Sequence, residues 1–146
     1  MEKLRLVERP GVTAAVVNKG KVLILKRINL PFIVNPGVWS LVAGGLKKGE
    51  RPIDAAYREV EEETGLGREH LKSLGSCDIF VTDRRRGSRW KNHFFVIQSS
   101  KSMIRLNIEN RAWKWVGLAQ LKRSPELLGP FEDSKRMVAV ISKSIR

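Results

Sequence analysis

Four carboxylates, Glu59, Glu61, Glu62 and Glu63, stand within five consecutive positions of the segment "REVEEETG". On a helix, residues three and four apart share a face, so Glu59, Glu62 and Glu63 converge while Glu61 points away to solvent. Exposed like charges at that spacing cost a helix only about a few tenths of a kcal/mol per pair, so a solvated acidic face is one reading. A hard-cation site is the other. Gly65 and Leu66 end the helix directly after the carboxylates, where its dipole already disfavours negative charge, and a cation relieves both penalties. Oxygen-only ligands suit Mg²⁺ or Mn²⁺, which bind through a few carboxylates together with substrate phosphates.

The helix that must carry these groups is predicted over residues 52–64. Pro52 suits its first turn, Gly65 its stop, and Ile53, Ala56, Tyr57 and Val60 fall at the spacing of a buried stripe. Upstream, two β-branched runs at residues 12–17 and 22–26 flank Asn18, Lys19 and Gly20, a hairpin signal. Two prolines and a glycine in "INLPFIVNPGVW" predict a loop that ends in a short strand at residues 39–42, after which Ala43, Gly44 and Gly45 open another loop. Further strands are predicted at residues 77–82, 90–98 and 113–116, the basic run "DRRRGSR" forming a hairpin tip between the first two. A last helix after Pro130 is expected to bury Met137, Val138, Ile141 and Ile145. Strands around one central helix plus a C-terminal helix make an α/β or α+β sandwich.

Composition bounds the partners. A chain of 146 residues suits one domain with a full core, residues 1–146. With 28 Lys plus Arg against 15 Asp plus Glu, the net charge is +13. Such a surface is either simply solvated or favours polyanions: nucleotides, nucleic acid or anionic lipid. Cys77 is the single cysteine, so there is no internal disulfide framework, no zinc-type Cys or His spacing is present, and a reducing, intracellular home is expected. The N-terminus alternates charges and no apolar run approaches the ~20 residues of a membrane span, so the expectation is a soluble cytoplasmic protein without a membrane partner.

The frame around the carboxylates is more specific than the carboxylates. Gly44, five residues, Glu50, seven residues, then Arg58-Glu59-Val60-Glu61-Glu62-Glu63-Thr64-Gly65-Leu66 resembles the Nudix box, G-x5-E-x7-R-E-U-x-E-E-x-G-U with U aliphatic, at all nine specified positions. With each residue type at several per cent of average composition, chance agreement lies well below roughly one in a million. The flanks are similar in kind: "LKR" after the hairpin, Trp39 ahead of "AGG", and "WVGLAQL" late in the chain. Ala43 departs from the proline many members carry there, a change to loop stiffness rather than chemistry. The resemblance implies a Nudix-type α/β/α sandwich with a mixed sheet, a box helix and a C-terminal helix. It also implies Mg²⁺- or Mn²⁺-dependent hydrolysis of a pyrophosphate bond in a nucleoside diphosphate linked to another moiety X. Mapped onto this chain, Glu59, Glu62 and Glu63 match the metal-ligating carboxylates, the carbonyl near Gly44 an added ligand, and Glu50 and Arg58 the supporting pair. Many members carry a further carboxylate ahead of the late Trp strand, as metal ligand or general base; Glu109, six residues before Trp115, is the candidate.

Outside the box, Lys26, Arg27 and Trp39 are the expected substrate contacts. Lys26 and Arg27 end a strand where a phosphate could be gripped, solvated strand-end charge being the alternative. Arg84, Arg85, Arg86, Arg89, Trp90 and Lys91 combine cations with an aromatic, which suits a nucleic-acid backbone and base or a solvated tip. Phe32, Trp113 and Trp115 could stack on a base or belong to the core; His93 reads as structural and Cys77 as a small hydrophobe. The small phosphorylated substrate is expected to be a nucleoside triphosphate or nucleotide sugar. RNA 5′ ends or inositol pyrophosphates are alternatives prompted by the net charge, and a catalytically silent domain that binds nucleotide or RNA is another.

Overall fold

Strands β2 (Gly11–Asn18) and β3 (Lys21–Arg27) have buried, mostly apolar centres at residues 12–17 and 22–25, the mark of strands covered on both faces. Lys19 and Gly20 between them both adopt positive φ, 49° and 75°, as a two-residue hairpin turn requires. A computed structural model describes residues 5–6, 11–33, 36–83 and 86–145. The expected hairpin forms, but its strands pair only next to the turn, Val17 with Val22 and Asn18 with Lys21. Beyond that the two strands diverge and β5 (Val42–Gly45) takes the place of β3 beside the first half of β2, while β3 pairs along its whole length with β8 (Asn110–Gly117) on its other edge.

The predicted strand at 39–42 is therefore two pieces. β4 (Trp39–Ser40) pairs with β3, and β5 pairs with β2. Ala43, Gly44 and Gly45, expected in a loop, are strand residues, because the diverging hairpin leaves β2 with open backbone groups that they satisfy. The other side of β2 pairs in parallel with β7 (Ser88–Ser99), which forms a long hairpin with β6 (Leu71–Asp83) and carries β1 (Arg5–Leu6) at its start. These two strands run several residues further than their apolar cores suggested, since backbone pairing continues where side chains turn polar. The sheet is mixed, as expected. Arg84 and Arg85 of the basic run lie outside the described residues.

Helices cover both faces. α1 (Pro52–Thr64) has the predicted bounds and packs Ala55, Ala56 and Val60 against Val12, Ala14, Val16, Leu23 and Leu25. Gly65, at φ 75°, closes it in the left-handed conformation with its N–H on the Glu61 carbonyl at 2.9 Å. The buried stripe is rotated from expectation: Ile53 and Tyr57 are only half-buried, while Ala55, Glu63 and Thr64 are buried. On the opposite face α3 (Ser134–Ser144) buries Met137, Val138 and Ile141 against Val22, Ile24, Phe94 and Val96, with Ile145 packed partly against the same cluster. A short helix not foreseen, α2 (Leu118–Arg123), adds Leu121 to that side. Among the described residues no helix is long and apolar enough to cross a membrane.

Candidate active site

The sequence places Arg58 and Glu50 eight residues apart; the fold makes them one unit. Arg58 donates from Nε to Glu50 Oε2 at 2.9 Å and from Nη2 to Glu50 Oε1 at 3.0 Å, a bidentate pair. Its Nη2 also donates to the Gly45 carbonyl at 2.9 Å, and its Nη1 reaches Glu59 Oε1 at 2.8 Å and Glu62 Oε2 at 3.3 Å. One guanidinium thus ties the loop before α1, strand β5 and two of the three converging carboxylates. The bond from Arg58, with that from the Lys47 amide, holds the Glu50 carboxyl down at about 2.

Glu59 lies against β5, its carboxylate in the place that a Cβ on residue 44 would take, so any side chain there would have to displace that carboxylate. Glu63 is 1% exposed, enclosed between α1 and β8. Its Oε1 accepts from Asn110 Nδ2 at 3.2 Å, and its Oε2 is buried with no hydrogen-bond partner. Burial raises the pKa of Glu63 well above the usual carboxylate range, and the Glu59 carboxyl beside it raises it further; Glu59 is raised too, chiefly by burial. Two touching carboxyls out of water cannot both ionise unless a cation joins them. Glu62 is half exposed and Glu61 faces solvent.

The unsatisfied Glu63 oxygen fits a metal site. A buried carboxylate oxygen without a donor calls for an explanation, and a bound cation is one that its charge favours. The donor set is oxygen throughout, which suits Mg²⁺ or Mn²⁺. Among the described residues no three His, Cys, Asp or Glu side chains already enclose a common point, and Glu59 and Glu62 are both paired with Arg58.

A cleft of about 360 Å³ opens beside this face, lined by Gly44, Glu59 and Glu62 on one side and by Arg27, Asn107 and Glu109 on another. Val81, Trp90 and Phe131 add an apolar wall. Arg27 enters because β3 alternates: Leu23, Leu25 and Arg27 share the α1 face. A register shift between Lys26 and Arg27 sets Arg27 opposite Asn110. Glu109 Oε2 lies 3.9 Å from Arg27 Nη2, and the Glu109 carbonyl accepts from the Ile28 amide at 2.8 Å.

Lys26 and Trp39 are not brought to the cleft. They pair across β3 and β4 on the opposite face, where Lys114 Nζ sits 4.6 Å above the Trp39 ring. Trp90, grouped by sequence with the exposed basic cluster, is instead buried and faces the cleft. Arg89 bonds Glu132 at 2.7 Å and stacks on Phe80; Arg86 bonds the Pro31 carbonyl at 3.1 Å. Phe32 is 70% exposed and Trp113 42%, whereas Trp115 is half-buried with its Nε1 on the Ser102 carbonyl. His93 pairs with Asp78, and Cys77 is only partly buried. Asn107 and Asn110 escaped the sequence reading, although an Asn two residues before Glu109 is an Asx-turn signal that would have drawn attention to it.

The NUDIX domain model matches residues 7–137. An RNA pyrophosphohydrolase of Brucella anthropi is 31% identical over 146 aligned residues, covering 85% of this chain and 82% of the relative. One of Pelagibacter ubique is 29% identical over 136, with 82% of each chain covered. Among solved structures, a C. elegans Ap4A hydrolase binary complex superposes with a TM-score of 0.75 at 18% identity, covering 94% of this chain and 98% of that one.

Proposed function

Since the chain belongs to the NUDIX domain family, whose pyrophosphohydrolase chemistry it shares, we propose that it works as one domain that hydrolyses a pyrophosphate bond in a nucleoside diphosphate linked to X, such as a nucleoside triphosphate or nucleotide sugar. The observation that carries this reading is the buried Glu63 carboxyl with one unsatisfied oxygen beside Glu59, at the edge of a cleft. Glu59, Glu62 and Glu63, with the Gly44 carbonyl, would hold Mg²⁺ or Mn²⁺. A divalent cation bound there supplies charge neutralisation at the diphosphate and a nucleophile from water near neutral pH.

The chain's own residues do the rest. Arg58 positions Glu59 and Glu62 while Glu50 fixes Arg58, so the carboxylates are oriented before substrate arrives. Arg27 faces the cleft with its guanidinium, a suitable partner for a phosphate oxygen. Glu109, half exposed across the cleft, is placed to take the proton as water attacks phosphorus and the bridging P–O bond breaks. The apolar wall of Val81, Trp90 and Phe131 leaves room for the organic part of the substrate.

A second reading has the same chemistry acting on 5′-phosphorylated RNA ends. It is favoured by the net charge of +13 and by the two relatives described above, which are named RNA pyrophosphohydrolases. A panel of nucleoside triphosphates, nucleotide sugars and 5′-triphosphorylated RNA, assayed with Mg²⁺ and Mn²⁺ and with product identification, tests both. Pyrophosphate-bond cleavage that Glu62→Gln removes is the expected result, and the RNA reading requires a rate on RNA that falls steeply with salt. No cleavage of any member would overturn the proposal.

A further inference from the structure

Glu63 sits at the end of α1 and Glu109 on the connection before β8, yet a continuous set of hydrogen bonds joins them. Asn110 Nδ2 has two hydrogens and two acceptors: Glu63 Oε1 at 3.2 Å and Asn107 Oδ1 at 3.1 Å. Asn107 Oδ1 also accepts the Glu109 backbone N–H at 3.2 Å. That last bond identifies the Asn107 atom as oxygen, so the Asn110 atom facing both Asn107 and the Glu63 carboxylate must be the amide nitrogen. The Glu109 carbonyl is held from the other side by the Ile28 amide at 2.8 Å.

Resting on the reading of Glu63 as a metal-holding group and of Glu109 as the outlying carboxylate, we propose that Asn110 is a positioning residue that couples the two. Whatever fixes the Glu63 carboxylate fixes Asn110, and through it the turn that presents Glu109 to the cleft. The residue type matches this task. A primary amide offers two diverging donors, serine or threonine only one, leucine none, and aspartate would set a second carboxylate against Glu63. The register shift opposite Arg27 turns Asn110 toward Glu63, and the residue is 6% exposed, so no water competes for the amide.

The coupling is tested by amide hydrogen exchange across residues 107–110 with and without Mn²⁺, in the native chain, Asn110→Ala and Asn107→Ala. Mn²⁺ binding is followed separately by electron paramagnetic resonance. In the native chain Mn²⁺ is expected to slow exchange at the Glu109 amide roughly tenfold or more. In both variants Mn²⁺ still binds but slows that amide less than about twofold. Their kcat falls by about tenfold at unchanged KM, the size usual for outer-shell partners of a metal site. Asn107→Ala breaks only the turn's half of the network, so it decides the matter even if Asn110→Ala does not fold. Equal Mn²⁺-dependent protection in the variants, or none in a native chain that binds Mn²⁺, would overturn the coupling. A native chain that binds no Mn²⁺ would overturn the metal reading beneath it.

Discussion

Helices α1 and α3 cover one sheet from opposite faces, and they bury different things. α3 inserts Met137, Val138 and Ile141, all apolar, and its charged side chains stay outside. α1 inserts Ala55, Ala56 and Val60, then, in its last turn, Glu63 and Thr64. The difference separates a face that folds the protein from one that carries a buried charge at a cost in stability, as the proposed metal site requires. A carboxyl at 1% exposure with a bare oxygen opposes folding, by burial and by contact with Glu59. The apolar α3 face and the Arg58 network offset that cost.

The sharpest way to break this contrast is to remove the charge. Glu63→Gln is expected to lower kcat by about 10³-fold, while the thermal midpoint measured in chelator does not fall. A variant that is both active and less stable would make α1 an ordinary packing helix. The converse change belongs to α3. Ile141→Ala should destabilise by ~2–5 kcal/mol in urea unfolding, through lost burial and the cavity left behind. Its kcat, measured where the protein is fully folded, should stay within about twofold of native, since α3 contributes no side chain to the cleft lining and touches only the back of its apolar wall.

Gly44→Ala tests the contact between the α1 face and β5. Its Cβ must displace the Glu59 carboxylate, so kcat/KM is expected to drop roughly tenfold with a smaller loss of stability. The smallest effect is on pH dependence. The Glu63 carboxyl is raised in the folded chain, so its contribution is complete below the unfolded value of about 4.3 and is lost as pH rises through the folded value. Glu50 is depressed to about 2, so its contribution has the opposite sign, present above the unfolded value and lost as pH falls toward about 2. In chelator, the thermal midpoint of native protein should therefore decline relative to Glu63→Gln as pH rises above the unfolded value of about 4.3. Ile141→Ala should track native across that range.

The same contrast explains what could be read from sequence. α1, its proline start and its glycine stop follow from helical spacing and end signals, and α3's stripe follows likewise. The rotation of α1 that buries Glu63 does not, because periodicity treats glutamate as solvent-seeking and cannot see β5 and β8 closing over it. Ala43, Gly44 and Gly45 look like loop residues locally, and only the divergence of β2 from β3 makes them a strand. Lys26 and Arg27 are adjacent in sequence, yet alternation and the register shift send Arg27 to the cleft and Lys26 to the far face. Long-range pairing decides each of these cases. Glu109 was reachable by spacing from Trp115, but the amides that hold it, Asn107 and Asn110, acquire meaning only once β8 lies against α1.

The most direct test is the thermal midpoint of native protein and of Glu63→Gln at pH 7.5, each in chelator and in Mn²⁺. Native protein should start lower and rise on adding Mn²⁺, since a ligand that binds only the folded state stabilises it by RT ln(1 + [L]/Kd). Glu63→Gln should start higher and gain little. Equal gains in both proteins would mean that the buried carboxyl of α1 does not hold the metal.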